Sequence, residues 1–257
     1  MMIYVVSLEQ DLKRREQISK NFPKIYKKII YFSAIYGASL SADKYFQNIY
    51  QYHKKHQRLL TCGEVGCSLS HIQVLEKFIE SGEEHALILE DDIIGTDQDI
   101  EDIFSIVKQL DKKSVLLCGG QTSNGNRNYQ LGRKSHIDNV FELSQFSYSY
   151  VYGTCCYAVT RESALQILSR HSDYLKVADN WDLFFLNTPF QIYYTNILYH
   201  PDDRKNSHLQ KERLRLLESM GFFQRIKSGR FFIKNFKLIK NYLIILYLFL
   251  IGYRRIR

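Results

Sequence analysis

The chain has 257 residues, 45% of them apolar, and only three prolines. That suits one large domain and leaves no linker between two equal ones. Its formal charge of +8 sits at one end: residues 222–257 hold nine Lys/Arg and no Asp or Glu, leaving 26 basic against 27 acidic residues elsewhere. A nearly neutral body excludes a basic nucleic-acid-binding core, and the cationic end points to an anionic partner.

Ile3–Leu8 is a short apolar run that suits a buried strand, and the opening MMIYVVSLEQ carries no basic leader. Asp11–Asn21 reads as a polar helix, Lys28–Phe32 as a second strand, and Asp43–Tyr52 as a helix. Thr61-Cys62-Gly63-Glu64 has the form of a capping box, with Glu three residues after Thr. Val65, Leu69, Ile72, Leu75 and Ile79 follow at helical spacing, and Ser81-Gly82 closes that helix. Ala86–Leu89 is a strand that runs into Glu90-Asp91-Asp92. A helix over Gln98–Leu110 and a strand over Ser114–Cys118 come next, then a polar loop over Gln121–Ser135. Tyr152–Val159 reads as a strand, Thr160 as the cap of a helix over Glu162–Arg170, and Trp181–Leu186 as a short apolar segment. His208–Met220 reads as a helix with paired charges. Strands alternating with helices predict an α/β sandwich with a mainly parallel central sheet over residues 1–221.

Five cysteines (Cys62, Cys67, Cys118, Cys155 and Cys156) lack the paired C-x-x-C spacing of a zinc motif. They suit reduced thiols in a cytoplasmic protein, with Cys155 and Cys156 on opposite faces if they lie in a strand.

Three carboxylates at the C-terminal end of a buried strand stand where open α/β sheets bind ligands. Glu90 and Asp92, two apart on an extended chain, face the same way and can hold a divalent cation bridging the diphosphate of a nucleotide sugar. An acidic turn that caps a helix or faces solvent is the plain alternative.

Four segments resemble glycosyltransferase family 25, the lipooligosaccharide galactosyltransferases and their relatives. They are IYVVSLEQDLKRR at Ile3–Arg15, TCGEVGCSLSH at Thr61–His71, LILEDD at Leu87–Asp92 and YGTCCYAV at Tyr152–Val159, in the expected order. The resemblance implies a GT-A type fold, a UDP-sugar donor (UDP-galactose most often), Mn²⁺ or Mg²⁺, and transfer with inversion to a lipid-linked oligosaccharide such as lipooligosaccharide or lipopolysaccharide. Carried over by position, Asp92 and Glu90 are metal-ligand candidates, and Glu90 and Asp91 are also candidates near the ribose of the nucleotide sugar. Ser7, Arg14, Arg15, Glu64, Ser70, His71, Gly153 and Thr154 are nucleotide-sugar candidates. Asp179 matches the family's base segment without its proline, and Asp182 is the second candidate base. Between them Trp181 offers a ring for an acceptor sugar, or for core packing. His200 or His208 completes the metal site, and His208 is the one assigned. A metal-dependent hydrolase or phosphatase using the same carboxylates is the competing enzyme, and a non-catalytic membrane-bound module is the competing binder.

Residues 222–257 end with Tyr242–Tyr253, an uncharged run of twelve residues flanked by Lys/Arg. As a helix it is about 18 Å long, short of a hydrocarbon core of about 30 Å. A basic amphipathic tail lying on an anionic membrane is expected, which makes the protein peripheral on the cytoplasmic face. Docking of this helix on the protein's own core is the alternative.

Overall fold

A computed structural model describes residues 1–121, 126–201, 212 and 230–256, with the side chains of 230–237 excepted. Among these residues nine strands form one sheet: β1 (Met2–Ser7), β2 (Ile29–Ser33), β3 (His85–Glu90), β4 (Ser114–Gly119), β5 (Leu131–Lys134), β6 (Phe141–Leu143), β7 (Cys156–Thr160), β8 (Gln191–Leu198) and β9 (Arg254–Arg255). Their order across the sheet is β2-β1-β3-β7-β4-β8-β6-β5-β9. β2, β1, β3, β4 and β8 share one direction, and β7 is inserted antiparallel between β3 and β4. The α/β class and the mainly parallel centre are as expected. β5, β6 and β9 extend the sheet as an antiparallel edge.

The central strands read as unbroken apolar runs because helices cover both faces. Tyr4 and Val6 of β1 enter one core with α3 (Cys62–Glu80), α5 (Arg161–His171) and α6 (Trp181–Phe185). Ile3 and Val5 enter the other with α1 (Leu12–Asn21) and α4 (Asp97–Val107). α2 (Ala42–His56), longer than expected, packs Ile49 and Tyr52 against Val65 of α3. The capping box at Thr61 forms as read, and Thr160 caps α5.

Two local readings are corrected, and a third falls outside the described residues. Residues 152–155 lie outside the ladder, and β7 starts only at Cys156. Cys155 is therefore not alternating in a strand, and its sulfur lies 3.7 Å from that of Cys156. The expected loop over Gln121–Ser135 contains β5, whose short, half-polar LGRK gives no alternating pattern. The helix expected over His208–Met220 lies outside the described residues except for Glu212.

The C-terminal end is part of the fold. After α7 (Arg230–Leu250) the chain turns at Gly252, which sits at φ +95°, and β9 pairs with β5. Ile256 is buried in the same core as Trp181. The separate tail expected from residue 222 thus contributes a strand and a core side chain. The local sequence hid this because two arginines in β9 read as a charged flank.

Candidate active site

β1 and β3 are parallel neighbours in register Val6↔Glu90, so Ser7 and the Glu90-Asp91-Asp92 turn emerge side by side at the C-terminal edge. β8 ends on the same edge, and a bridge between Ile94 and Tyr199 holds His200 over the acidic turn. Together with α1, α3 and the 34–38 segment these ends surround a cleft of about 510 Å³. The 34–38 wall lies directly on α3 because Gly66 has no side chain: a Cβ there would stand 2.5 Å from the Ile35 carbonyl oxygen.

Asp92 is the centre of the charge pattern. Its Oδ1 is 3.4 Å from Nε2 of His200, and its Oδ2 accepts from Arg14 Nη1 at 3.2 Å. Burial pushes the Asp92 pKa up, but His200 and Arg14 outweigh it, so the net shift is down. The contact with the Asp92 carboxylate raises His200 to about 9 against the opposing effect of burial. Asp91 accepts from the same Arg14 nitrogen at 2.9 Å, yet burial dominates and raises its pKa. Asp91 is thus committed to holding Arg14.

Ligand atoms of Glu90, Asp92 and His200 lie within 4.8 Å of one another. Among the described residues Asp92 Oδ1 is buried and makes no well-formed hydrogen bond, its contact with His200 being 3.4 Å long. An orphaned carboxylate oxygen facing a second carboxylate and an imidazole suits Mn²⁺ or Mg²⁺, which take oxygen and nitrogen donors. Binding would displace the proton from His200.

Glu90 connects this cluster to the candidate base. Its Oε1 accepts from the Thr154 hydroxyl at 2.7 Å, and the N–H of neighbouring Gly153 donates to Asp179 Oδ2 at 3.0 Å. Gly153 sits at φ +90°, a conformation that favours glycine. Asp182 turns elsewhere: its Oδ2 accepts from Ser149 at 2.9 Å and its Oδ1 from the Leu183 N–H at 3.0 Å.

Several expected contacts are redirected. Arg15 does not line the cleft; its donors go to Ser7 Oγ and to the Ser7 and Leu8 carbonyls, and it stacks on Tyr31. It therefore clamps the end of β1. Glu64 is committed to its capping box and to Arg58. Ser70 accepts from the Ile35 N–H at 2.8 Å and donates to Gly66. Trp181 is 1% exposed and packs with Tyr157, Phe184 and Phe185, so no sugar can stack on it. The corrected role is core packing. His200 stands beside Asp92, whereas His208 lies outside the described residues.

Two partners of site residues had no sequence signal. Glu212 accepts from the Gly63 N–H at 2.9 Å, over the start of α3. Tyr157, buried in the core beneath α3, shares a hydrogen bond with His71 Nδ1 at 2.8 Å.

A family model described as "Glycosyltransferase family 25 (LPS biosynthesis protein)" matches residues 1–181. The chain belongs to glycosyltransferase family 25. A family 25 member from Anopheles gambiae is 27% identical over 221 residues, covering 82% of this chain and 34% of that one. One from Aedes aegypti is 35% identical over 96 residues, 35% of this chain and 16% of that one. Mouse procollagen galactosyltransferase 2 is 24% identical over 172 residues, 65% of this chain and 27% of that one. The chain thus spans about a third or less of the length of these relatives. Among solved structures, apo-UDP-glucose pyrophosphorylase aligns with TM-score 0.42 and 10% identity over 85% of this chain and 82% of that one. A Thermus thermophilus mannose-1-phosphate geranyltransferase aligns with TM-score 0.41 and 10% identity, over 78% and 75%. Three of the family 25 segments line the cleft, through β1–α1, the start of α3 and the end of β3, and Thr154 of the fourth bonds Glu90.

Proposed function

We propose that this family 25 chain transfers galactose from UDP-galactose, with inversion, to a lipid-linked oligosaccharide of the lipooligosaccharide or lipopolysaccharide class. The observation that carries the transferase reading is the Glu90–Asp92–His200 cluster at the strand ends, joined to Asp179 through Thr154 and Gly153. The acceptor oxygen bonds to the anomeric carbon while the bond from that carbon to the diphosphate oxygen breaks. The hydroxyl proton goes to Asp179, and the electron pair leaves with UDP. A bound divalent cation offsets the charge that develops on the diphosphate. Arg14 stands at the mouth of the cleft as a second cation for that charge. The choice of galactose draws on the family resemblance and on the name of the mouse relative. A panel of UDP-galactose, UDP-glucose and UDP-N-acetylglucosamine with Mn²⁺, read as UDP released, should show UDP-galactose turned over at least about tenfold faster. Equal rates or preference for another sugar would overturn the donor, and no UDP release from any would overturn the transferase.

The lipid acceptor and a peripheral place on the cytoplasmic face are supported by α7. Asn241 and Leu248 face the protein, and Asn241 donates to the Tyr150 hydroxyl at 2.9 Å. The other side presents Ile239, Tyr242, Leu243, Leu246, Tyr247 and Leu250, each 57–79% exposed. That is a continuous apolar stripe at helical spacing, beside exposed Lys240, Arg254 and Arg255. No helix among the described residues is long and apolar enough to cross a membrane, so the stripe suits an interfacial helix. An anionic membrane fits better than a second copy, because nine basic and no acidic residues in 222–257 repel their own kind. Five thiols without a disulfide support a reducing compartment.

Substitution tests this more cleanly than truncation, since β9 and Ile256 belong to the fold. Leu243→Glu with Leu246→Glu should reduce co-sedimentation with anionic vesicles at least about tenfold, with the melting temperature little changed because both side chains are already in solvent. Unchanged vesicle binding would remove the membrane role. A loss of self-association instead would assign the stripe to a second copy.

A further inference from the structure

We propose that Cys67, His71 and Glu90 form a second metal site, suited to Zn²⁺, which shares Glu90 with the Glu90–Asp92–His200 cluster and silences transfer when filled. The silencing rests on the function proposed above; the binding does not. Cysteine spacing along the chain holds no zinc motif, and only the fold brings these ligands together.

Cys67 and His71 are four apart on α3, so one stands a turn above the other on the same face. That face looks across the cleft to the end of β3. His71 is 4% exposed, and its ring is fixed by the contact of Nδ1 with the Tyr157 hydroxyl at 2.8 Å. With the proton on Nδ1, donated to Tyr157, the lone pair of Nε2 points toward Glu90 Oε1, 3.9 Å away. An outer hydrogen bond on the far nitrogen is what orients and strengthens a histidine ligand. Cys67 Sγ is 4.0 Å from Thr154 Oγ1, which itself donates to Glu90 at 2.7 Å. The three ligand atoms lie within 4.8 Å of one another.

With bonds of about 2.0–2.3 Å, tetrahedral zinc holds its ligand atoms about 3.3–3.8 Å apart. Small side-chain rotations close the present separations to that range. All three residues line the cleft, so a fourth position stays open to water. Softness separates the two sites. Thiolate with imidazole favours Zn²⁺, whereas two carboxylates and an imidazole suit Mn²⁺ or Mg²⁺. Glu90 drawn toward Cys67 and His71 leaves Asp92 and His200 without their third ligand.

Co²⁺ serves as the probe because a thiolate ligand gives it a near-ultraviolet charge-transfer band that oxygen and nitrogen ligands do not. The full chain, reduced and held in excess Mg²⁺, is titrated with Co²⁺. The band should saturate near one equivalent and vanish on adding Zn²⁺. It should be absent in Cys67→Ser and retained in Cys62→Ser. His71→Gln, which can still hydrogen-bond Tyr157, should weaken Co²⁺ binding at least tenfold and stands in if Cys67→Ser does not fold. Absence of the band in the wild-type chain, or its survival in Cys67→Ser, overturns the site. Zn²⁺ should also inhibit Mn²⁺-supported transfer at concentrations at least tenfold lower in the wild-type chain than in Cys67→Ser. Equal inhibition of the two overturns the shared role of Glu90. A chain that shows the band but transfers no sugar keeps the site and refutes the transferase.

Discussion

Asp92→Asn is expected to lower metal-supported transfer by about a thousandfold or more while leaving the protein folded. Transition-state charge stabilisation in a shielded site is worth several kcal/mol, and each 1.4 kcal/mol is about tenfold in rate. The amide has nearly the shape of the carboxylate, and its oxygen can still accept from Arg14. It cannot supply an anionic ligand beside Glu90. The fold survives because the two cations around Asp92 keep other ways to be satisfied. Arg14 retains Asp91, 2.9 Å away, and His200 can lose its raised proton. Initial rates across a range of Mn²⁺ concentrations, set beside thermal melts, read both halves of the expectation. An Asp92→Asn chain with the rate and Mn²⁺ dependence of the parent would remove Asp92 from the metal site.

Asp179→Asn should lower kcat by about 10²- to 10⁴-fold, the range of a positioned general base, with UDP affinity held within about threefold. Asparagine can still accept the Gly153 N–H, so the loop that ties Thr154 to Glu90 keeps its shape. What is lost is the place for the acceptor's proton. Asp182→Asn is expected to cost far less, since the Asp182 carboxylate is engaged by Ser149 and by the start of α6. Single-turnover rates at saturating donor, with UDP binding measured separately, distinguish a lost base from a weakened donor site. If Asp182→Asn slows the chemistry more than Asp179→Asn does, the base is Asp182.

Both expectations rest on residues the chain announces locally and on neighbours that it does not. The apolar runs of β1 and β3, the capping box at Thr61 and the carboxylates after Leu89 were all legible in the sequence. Each depends on residues a few positions apart: an unbroken apolar run for the strands, a reciprocal side-chain bond for the helix start, and charge at the end of a buried run. The family 25 likeness rests on those same segments. The direction of a side chain could not be read in that way. Arg14 and Arg15 are adjacent and alike, yet one reaches the acidic turn and the other clamps Ser7. Glu64 looked like a ligand at a helix start but spends its oxygens on Thr61 and Arg58. The lone Trp181, flanked by two carboxylates, is covered because α6 turns it into the aromatic core.

The longest-range features were decided by the order of strands. β7 enters antiparallel between β3 and β4, which brings Thr154 to Glu90 across 64 residues and Tyr157 to His71 across 86. β8 returns to the same edge and sets His200 on Asp92. β9 pairs with β5, making a basic terminus part of the sheet and fixing which face of α7 meets solvent. Propensity and hydrophobic period report on a residue's own turn or strand. Which distant segments meet is settled only when the two cores close on both faces of the sheet. That is why the acidic cluster was visible in the chain, while its histidine, its link to Asp179 and its thiol neighbour required the fold.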